Sequence, residues 1–498
     1  GAAAAAEGPA PDEIRARVRA AHGAYAGLWA DFLQNRRSQA EERATALLRV
    51  LGTVPEACKD AETWVAEADF WYIAGATRGN DPEALENALG CYDRSIVAPG
   101  GESNANARRM RSEALLRLHR YEEAFAALGE LAAHFPTPFA ELEAAPFRMR
   151  HDAELCERLA RLGRLPAEQA AEAAAALRGA AERLQAARGP VAVEGERMKK
   201  WPLVAELGQE DAAALRRGLF GELGATAAPY PAERLSSWAP GAGRDPLGPS
   251  VDWARAEAEY FSDSITVIDG FFSAEALAEL WDYAREATCF RTVRRGYLGA
   301  FPADGNVHPL LVNLALSLEK HMPRVLKGHP LGLWWLFKYT EAGPSGIGIH
   351  ADIAAVNVNI WLTPDEARRS GGGLDVYMQV PPDEAAVSEY NRDFATEAEE
   401  AHVRDALLAG GGVRHVDYKQ NRAVIFVSDL FHASEPFDFV NASEQPRVNL
   451  TLLFGDRAAA RSPPPAAAAP EASSAALGEG LRAQPAPAPA ESGWDLFD

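Results

Sequence analysis

The sequence predicts an α+β multidomain chain, an N-terminal α-helical repeat region followed by a domain that mixes helices with strands. Three observations carry this. Residues 1–190 are rich in Ala, Leu, Glu and Arg, all strong helix formers, and hold few strand-like runs. Residues 251–457 alternate helical stretches with Val/Ile/Phe runs bounded by Gly, Asn and Asp. Two further stretches change composition: 191–250 carries scattered Pro and Gly, and 458–498 is Pro/Ala-rich. The 498 residues are enough for about two to four domains. The boundaries predicted are N-terminal helices over 1–60, helical repeats over 61–190, a linker over 191–250, a mixed domain over 251–457 and a tail over 458–498. That tail has too little apolar surface to offset its ordering entropy, so disorder is expected.

Within the first part the chain repeats itself. Ala114-Leu-Leu-Arg-Leu-His-Arg-Tyr-Glu-Glu-Ala124 echoes Ala74-Gly-Ala-Thr-Arg-Gly-Asn-Asp-Pro-Glu-Ala84, and Leu159-Ala-Arg-Leu-Gly-Arg-Leu-Pro-Ala-Glu-Gln-Ala170 is a looser copy. In each, one helix stops at a short turn. The next begins with an acidic first turn and an Ala that permits close approach. The pattern resembles a tetratricopeptide-repeat array, with copies spaced more widely than usual. A non-repeating helical bundle would follow the same packing rules.

Charge excludes some classes. With 50 Lys+Arg against 71 Asp+Glu the net charge is -21, which phosphate backbones and anionic membranes repel. No nucleic acid and no membrane partner are expected, and no apolar run is long enough to span a bilayer. Four dispersed cysteines form neither a disulfide framework nor a thiolate zinc site. With no signal-peptide pattern, this gives a cytoplasmic expectation. Residue 1 is Gly, so a preceding targeting segment is left open.

The chemistry concentrates in the mixed domain. His350 and Asp352 stand two apart at the end of an apolar run, and alternate residues of a strand share a face. His432 follows the strand-like run Asn421-Arg-Ala-Val-Ile-Phe-Val-Ser-Asp-Leu-Phe431. Two imidazoles and one carboxylate make the facial triad of non-heme Fe(II) oxygenases. Arg447 opens a further strand, Arg447-Val-Asn-Leu-Thr-Leu-Leu-Phe454. Turned inward it is costly unless it meets an anion, and its planar fork suits a carboxylate.

The residues that support a family resemblance run through the whole segment. They include Ile265-Thr-Val-Ile-Asp-Gly-Phe-Phe-Ser273, Phe337-Lys-Tyr339, His350-Ala-Asp352, Gly371-Gly-Gly-Leu-Asp-Val-Tyr377, His432 and Arg447. On these, residues 251–457 resemble the 2-oxoglutarate/Fe(II)-dependent dioxygenases, in the prolyl-4-hydroxylase-like branch. The resemblance implies a double-stranded β-helix (jelly-roll) barrel with flanking helices. It implies Fe(II) on His350, Asp352 and His432, which are both the metal and the catalytic residues. Arg447 would bind the distal carboxylate of the co-substrate 2-oxoglutarate, with Tyr339, Asn359 and Asn449 lining its pocket. O2 is the further co-substrate, and ascorbate is a candidate reductant. Asn357 alternates onto the face of Asn359 and can replace it. Arg447 has a plainer reading, as an ion-pair partner of Asp352 or Asp429.

The implied reaction is hydroxylation of a protein or peptide side chain recruited through the helical repeats. The alternatives are an iron oxygenase of small molecules and an inactive repeat-type scaffold. Helix-spaced Leu277, Leu280 and Trp281 predict a buttressing helix over 274–286. The closing Trp494-Asp-Leu-Phe-Asp498 resembles a short linear motif.

Overall fold

A computed structural model describes residues 11–34, 36–188, 201–225, 230–294, 296–339, 347–382, 390–391, 397–440 and 445–457. The expectations for the tail and for its last five residues lie outside the described residues. The chain divides into two compact units, with the division between Leu128 and Gly129.

The first unit is helical. It holds α1 (Pro11–Leu33), α2 (Arg37–Leu51), α3 (Ala61–Thr77), α4 (Pro82–Val97), α5 (Ala105–Arg117) and the start of α6 (Tyr121–His134). Sequence neighbours pack on one another, α3 on α4 most extensively. The starts follow local chemistry. Asp60, Asp81 and Asn104 cap α3, α4 and α5 by accepting backbone N–H groups, and Pro82 pre-sets the first turn of α4. The α3–α4 turn places Gly79 and Asn80 at φ of 74° and 64°, where Gly and Asn are the residues best tolerated. Most of α3 is buried, including Asp69, whose carboxylate accepts hydrogen bonds from the Tyr25 and Tyr92 hydroxyls.

The second unit begins with helices. α7 (Pro146–Arg161), α8 (Ala167–Arg188) and α9 (Gln209–Arg217) share a core of Met149, Leu155, Leu159, Leu177, Leu215 and Leu219. This differs from expectation. The division falls inside the predicted repeat region, and the predicted linker carries α9 and α10 (Ala232–Ser236), with Leu215, Leu219, Leu223 and Trp238 buried. The Pro and Gly there punctuate short packed helices. Three more helices follow, α11 (Trp253–Asp263), α12 (Ala274–Glu286) and α13 (Pro309–His321), then the single turn α14 (Pro323–Leu326) and, later, α15 (Glu397–Gly411). Helix α12 appears where predicted and packs on α7, but its buried stripe is Ala276, Leu280, Tyr283 and Ala284. Leu277 and Trp281 are only half-buried. Buried Glu279 displaces the stripe by one position, because Tyr230, Arg234 and His308 all converge on its carboxylate.

The strands are β1 (Ile265–Asp269), β2 (Thr292–Val293), β3 (Tyr297–Ala300), β4 (Leu331–Tyr339), β5 (Val356–Trp361), β6 (Arg368–Gly371), β7 (Leu374–Tyr377), β8 (Val413–Val416), β9 (Arg422–Val427), β10 (His432–Ser434), β11 (Phe437–Phe439) and β12 (Arg447–Phe454). All pairings are antiparallel. The large sheet runs β1-β9-β5-β12-β4-β3-β2, and β10-β7-β8 and β11-β6 make the smaller sheets. From β4 onward the chain crosses repeatedly from the large sheet to the small ones and back, as a jelly roll requires. No described helix is long and apolar enough to cross a membrane.

Candidate metal centre and its carboxylate pocket

Three backbone contacts place the triad. His350 and His432 face each other in a two-residue bridge, with His350 N–H to His432 O at 3.0 Å and His432 N–H to His350 O at 2.8 Å. The Asp352 N–H donates to Ser428 O at 3.2 Å. Between them, both peptide groups of Ala351 are held by one side chain. Asn391 Oδ1 accepts from Ala351 N at 2.9 Å and its Nδ2 donates to Ala351 O at 2.6 Å.

The side chains converge. One ligand atom from each of His350, Asp352 and His432 lies within 4.8 Å of the other two. His350 Nδ1 donates to Gly348 O at 2.8 Å and His432 Nδ1 to Leu430 O at 2.9 Å. A carbonyl can only accept, so each Nδ1 carries a proton, which leaves each Nε2 turned toward Asp352. Those Nε2 atoms stand 3.7 Å and 3.5 Å from the Asp352 oxygens, too far for good hydrogen bonds. Asn357 Nδ2 donates to Asp352 Oδ2 at 2.6 Å, while Oδ1 is buried without a partner. Burial and then the neighbouring His432 push His350 down to about 4, keeping its imidazole neutral. Burial alone would raise Asp352, but His432, His350 and Asn357 outweigh it and hold its carboxyl below the usual range. Two imidazole Nε2 atoms and a carboxylate, converging at separations too long for good hydrogen bonds, fit a divalent cation.

A second feature lies on β12. Arg447 is 3% exposed, opposite Tyr339 in the β12–β4 register. Its Nη2 donates to Gly372 O at 3.0 Å, while Nε and Nη1 are buried without hydrogen-bond partners among the described residues. The guanidinium carbon lies 4.7 Å from the Tyr339 ring centroid and 4.8 Å from that of Phe437. Gly372 has φ of 88°, and a Cβ there would stand 3.0 Å from Phe439 and 3.4 Å from Arg447 Nε. Glycine is therefore what lets its carbonyl orient the guanidinium. Among the described residues neither plainer partner meets it: Asp352 accepts from Asn357, and Asp429 pairs with Arg457 at 3.0 Å.

The remaining predicted residues divide. The Tyr339 hydroxyl is buried, and burial raises its phenol against the pull of Arg447 and Ser434. Asn449 is buried two residues along from Arg447, with Nδ2 at 3.3 Å from Thr451 Oγ1 and Oδ1 unpartnered. Asn359 is half-buried and opposite Thr451 and Val424, while Asn357 is the asparagine that touches the triad. Gly372, Phe437 and Asn391 were not singled out in the sequence. Gly372 had a signal in its triple glycine, and Asn391 had none.

No protein-family model and no curated protein matches the chain. Among solved structures, it is similar to an oxidoreductase of the 2OG-Fe(II) oxygenase family from Burkholderia pseudomallei, at 11% identity and TM-score 0.28, over 42% of this chain and 95% of the other. It is also similar to AviO1 from Streptomyces viridochromogenes, at 20% identity and TM-score 0.29, over 43% and 99%. A prolyl-4-hydroxylase from Pseudomonas putida matches at 15% identity and TM-score 0.27, over 43% and 96%.

Proposed function

We propose that the chain is an Fe(II)- and 2-oxoglutarate-dependent oxygenase that hydroxylates a protein or peptide side chain. The observation that carries the reading is the pairing of two unsatisfied sets. Three ligand atoms converge at separations too long for good hydrogen bonds, and a buried guanidinium on β12 has two nitrogens without a hydrogen-bond partner among the described residues. One set suits a divalent metal and the other a carboxylate, and 2-oxoglutarate needs both.

In this reading His350, Asp352 and His432 would hold the metal on one face, leaving other positions for co-substrates. Bound Fe(II) would supply the O2 and decarboxylation chemistry that no side chain here can perform. The chain's own part is orientation and exclusion of water. Gly348 and Leu430 carbonyls fix both imidazoles, and Asn357 fixes Asp352. Arg447, steered by Gly372, would hold the far carboxylate, with Tyr339 and Phe437 closing its walls. The ring of Phe426, 5.0 Å from that of His432, covers the metal side.

A macromolecular substrate is favoured by the helical first unit, whose paired helices offer a surface suited to a peptide or protein. The test is anaerobic addition of Fe(II) and then 2-oxoglutarate to the full chain. A visible charge-transfer band that needs both is expected. Its absence, or its survival in His350→Ala/His432→Ala, would overturn the assignment.

A further inference from the structure

We propose that Lys338, through the α7 side chains it meets, is a positioning residue for the carboxylate pocket. This rests on the oxygenase reading above for what the pocket binds, but not for what the lysine holds.

On β4, Tyr339 faces Arg447, and Lys338 therefore points from the opposite face, where it is 2% exposed. Its Nζ lies 3.0 Å from His151 Nε2 and 3.9 Å from the Phe290 ring centroid. The Asp152 carboxylate accepts, so His151 carries its proton on Nδ1 and accepts from the Lys338 N–H at Nε2. That Nδ1 lies 3.0 Å from Asp152 Oδ1, and Asp152 Oδ2 accepts from Arg148 Nε at 3.1 Å. Arg148 Nη1 in turn donates to Arg291 O at 2.7 Å. One continuous polar chain thus ties α7 to two strands: to β4 at Lys338, and to the entry of β2 at Arg291.

β4 carries Tyr339 against the Arg447 guanidinium, and β2 pairs with β3, which carries the neighbouring ring. The β2–β3 hairpin carries Tyr297, directly opposite Tyr339 in the register, with ring centroids 4.9 Å apart. Tyr339 in turn packs on the Arg447 guanidinium. Burying a lysine with no carboxylate in contact is costly, and an apolar residue would pack there at less expense to stability. What the polar chain adds is direction. It fixes the β2–β3 hairpin and β4 to one helix, so the Tyr297–Tyr339 stack is held from behind.

The test uses the full chain with K338M and, as a second variant, H151F. Two measurements are made: affinities for Fe(II) and 2-oxoglutarate in the anaerobic titration, and hydrogen exchange over residues 291–300. Iron affinity is expected to stay within about twofold, and 2-oxoglutarate affinity to fall about fivefold or more, as ordinary site-to-site coupling allows. Exchange over 291–300 should quicken while the rest of the barrel keeps its protection. Iron and 2-oxoglutarate affinity falling together with the melting temperature would reduce Lys338 to packing and overturn the proposal. So would unchanged 2-oxoglutarate affinity with unchanged exchange. If the native chain shows no response to 2-oxoglutarate, the oxygenase reading fails, and the exchange data still decide the positioning role: equal protection in all three proteins refutes it.

Discussion

Arg447 donates to Gly372 O, and its Nε and Nη1 have no hydrogen-bond partner among the described residues, so its replacements should separate geometry from charge. Arg447→Lys keeps the charge and loses the fork. Losing one charge-assisted hydrogen bond of about 1.5–3 kcal/mol should weaken 2-oxoglutarate binding by about 10- to 150-fold. Arg447→Ala should cost more, and calorimetric titration should find iron affinity intact in both. Asn357→Ala does the reverse. It frees Asp352 Oδ2 from its 2.6 Å restraint and should weaken iron by about 10- to 100-fold. Unchanged iron affinity there would show that the backbone bridge alone sets the carboxylate. At this scale the sequence was informative for residues whose chemistry is costly to bury, His350, Asp352, His432 and Arg447. It was silent for Asn391, whose role depends on a loop meeting Ala351 from 40 residues away.

At the scale of elements, the strands were legible and the helical boundary was not. β12 reads as an alternating run from Arg447, and the segment between His432 and Arg447 carries β11, which brings Phe437 against the guanidinium. Helix α7 looks like part of a repeat because its Ala and Leu spacing is that of any packed helix. What assigns it to the barrel unit is polar: Arg148, His151 and Asp152 are buried and reach β2 and β4, while Arg158 and Arg164 reach Glu286 on α12. Such long-range pairs leave no periodicity to read. The consequence is a truncation result. A fragment of residues 251–457 would expose Lys338 and the outer side of α12 and should aggregate or melt without cooperativity. A fragment of residues 129–457 should give a cooperative thermal transition by circular dichroism. A well-folded 251–457 fragment would mean that α7 is an appendage.

For the whole molecule, pH should separate the two units, because each buries an ionisable group shifted toward its neutral form. Asp69 in the first unit is raised to about 6 by burial, against the pull of Tyr25 and Tyr92. Its folded form therefore holds a proton that the unfolded form has lost between pH 4 and 6, and the unit loses stability as pH rises through that window. Lys338 in the second unit is lowered to about 7, by burial, with Cys289, Asp152 and Glu154 favouring its charge and Arg158 opposing it. Here the unfolded form binds the extra proton from about pH 7 up to its own value near 10.5. The second unit should gain stability as pH rises from 7 to 9. One pH unit is worth about 1.4 kcal/mol per proton, so the gain over that range is about 2 kcal/mol. Above pH 9 the Cys289 thiol, raised to about 11, begins to act the other way, so the window closes there. Calorimetric scans of the full chain at pH 7, 8 and 9 should show one transition moving upward in the native protein and staying still in Lys338→Met. A transition that rises equally in both would place the pH response on other groups and would mean that Lys338 carries its charge in the folded chain.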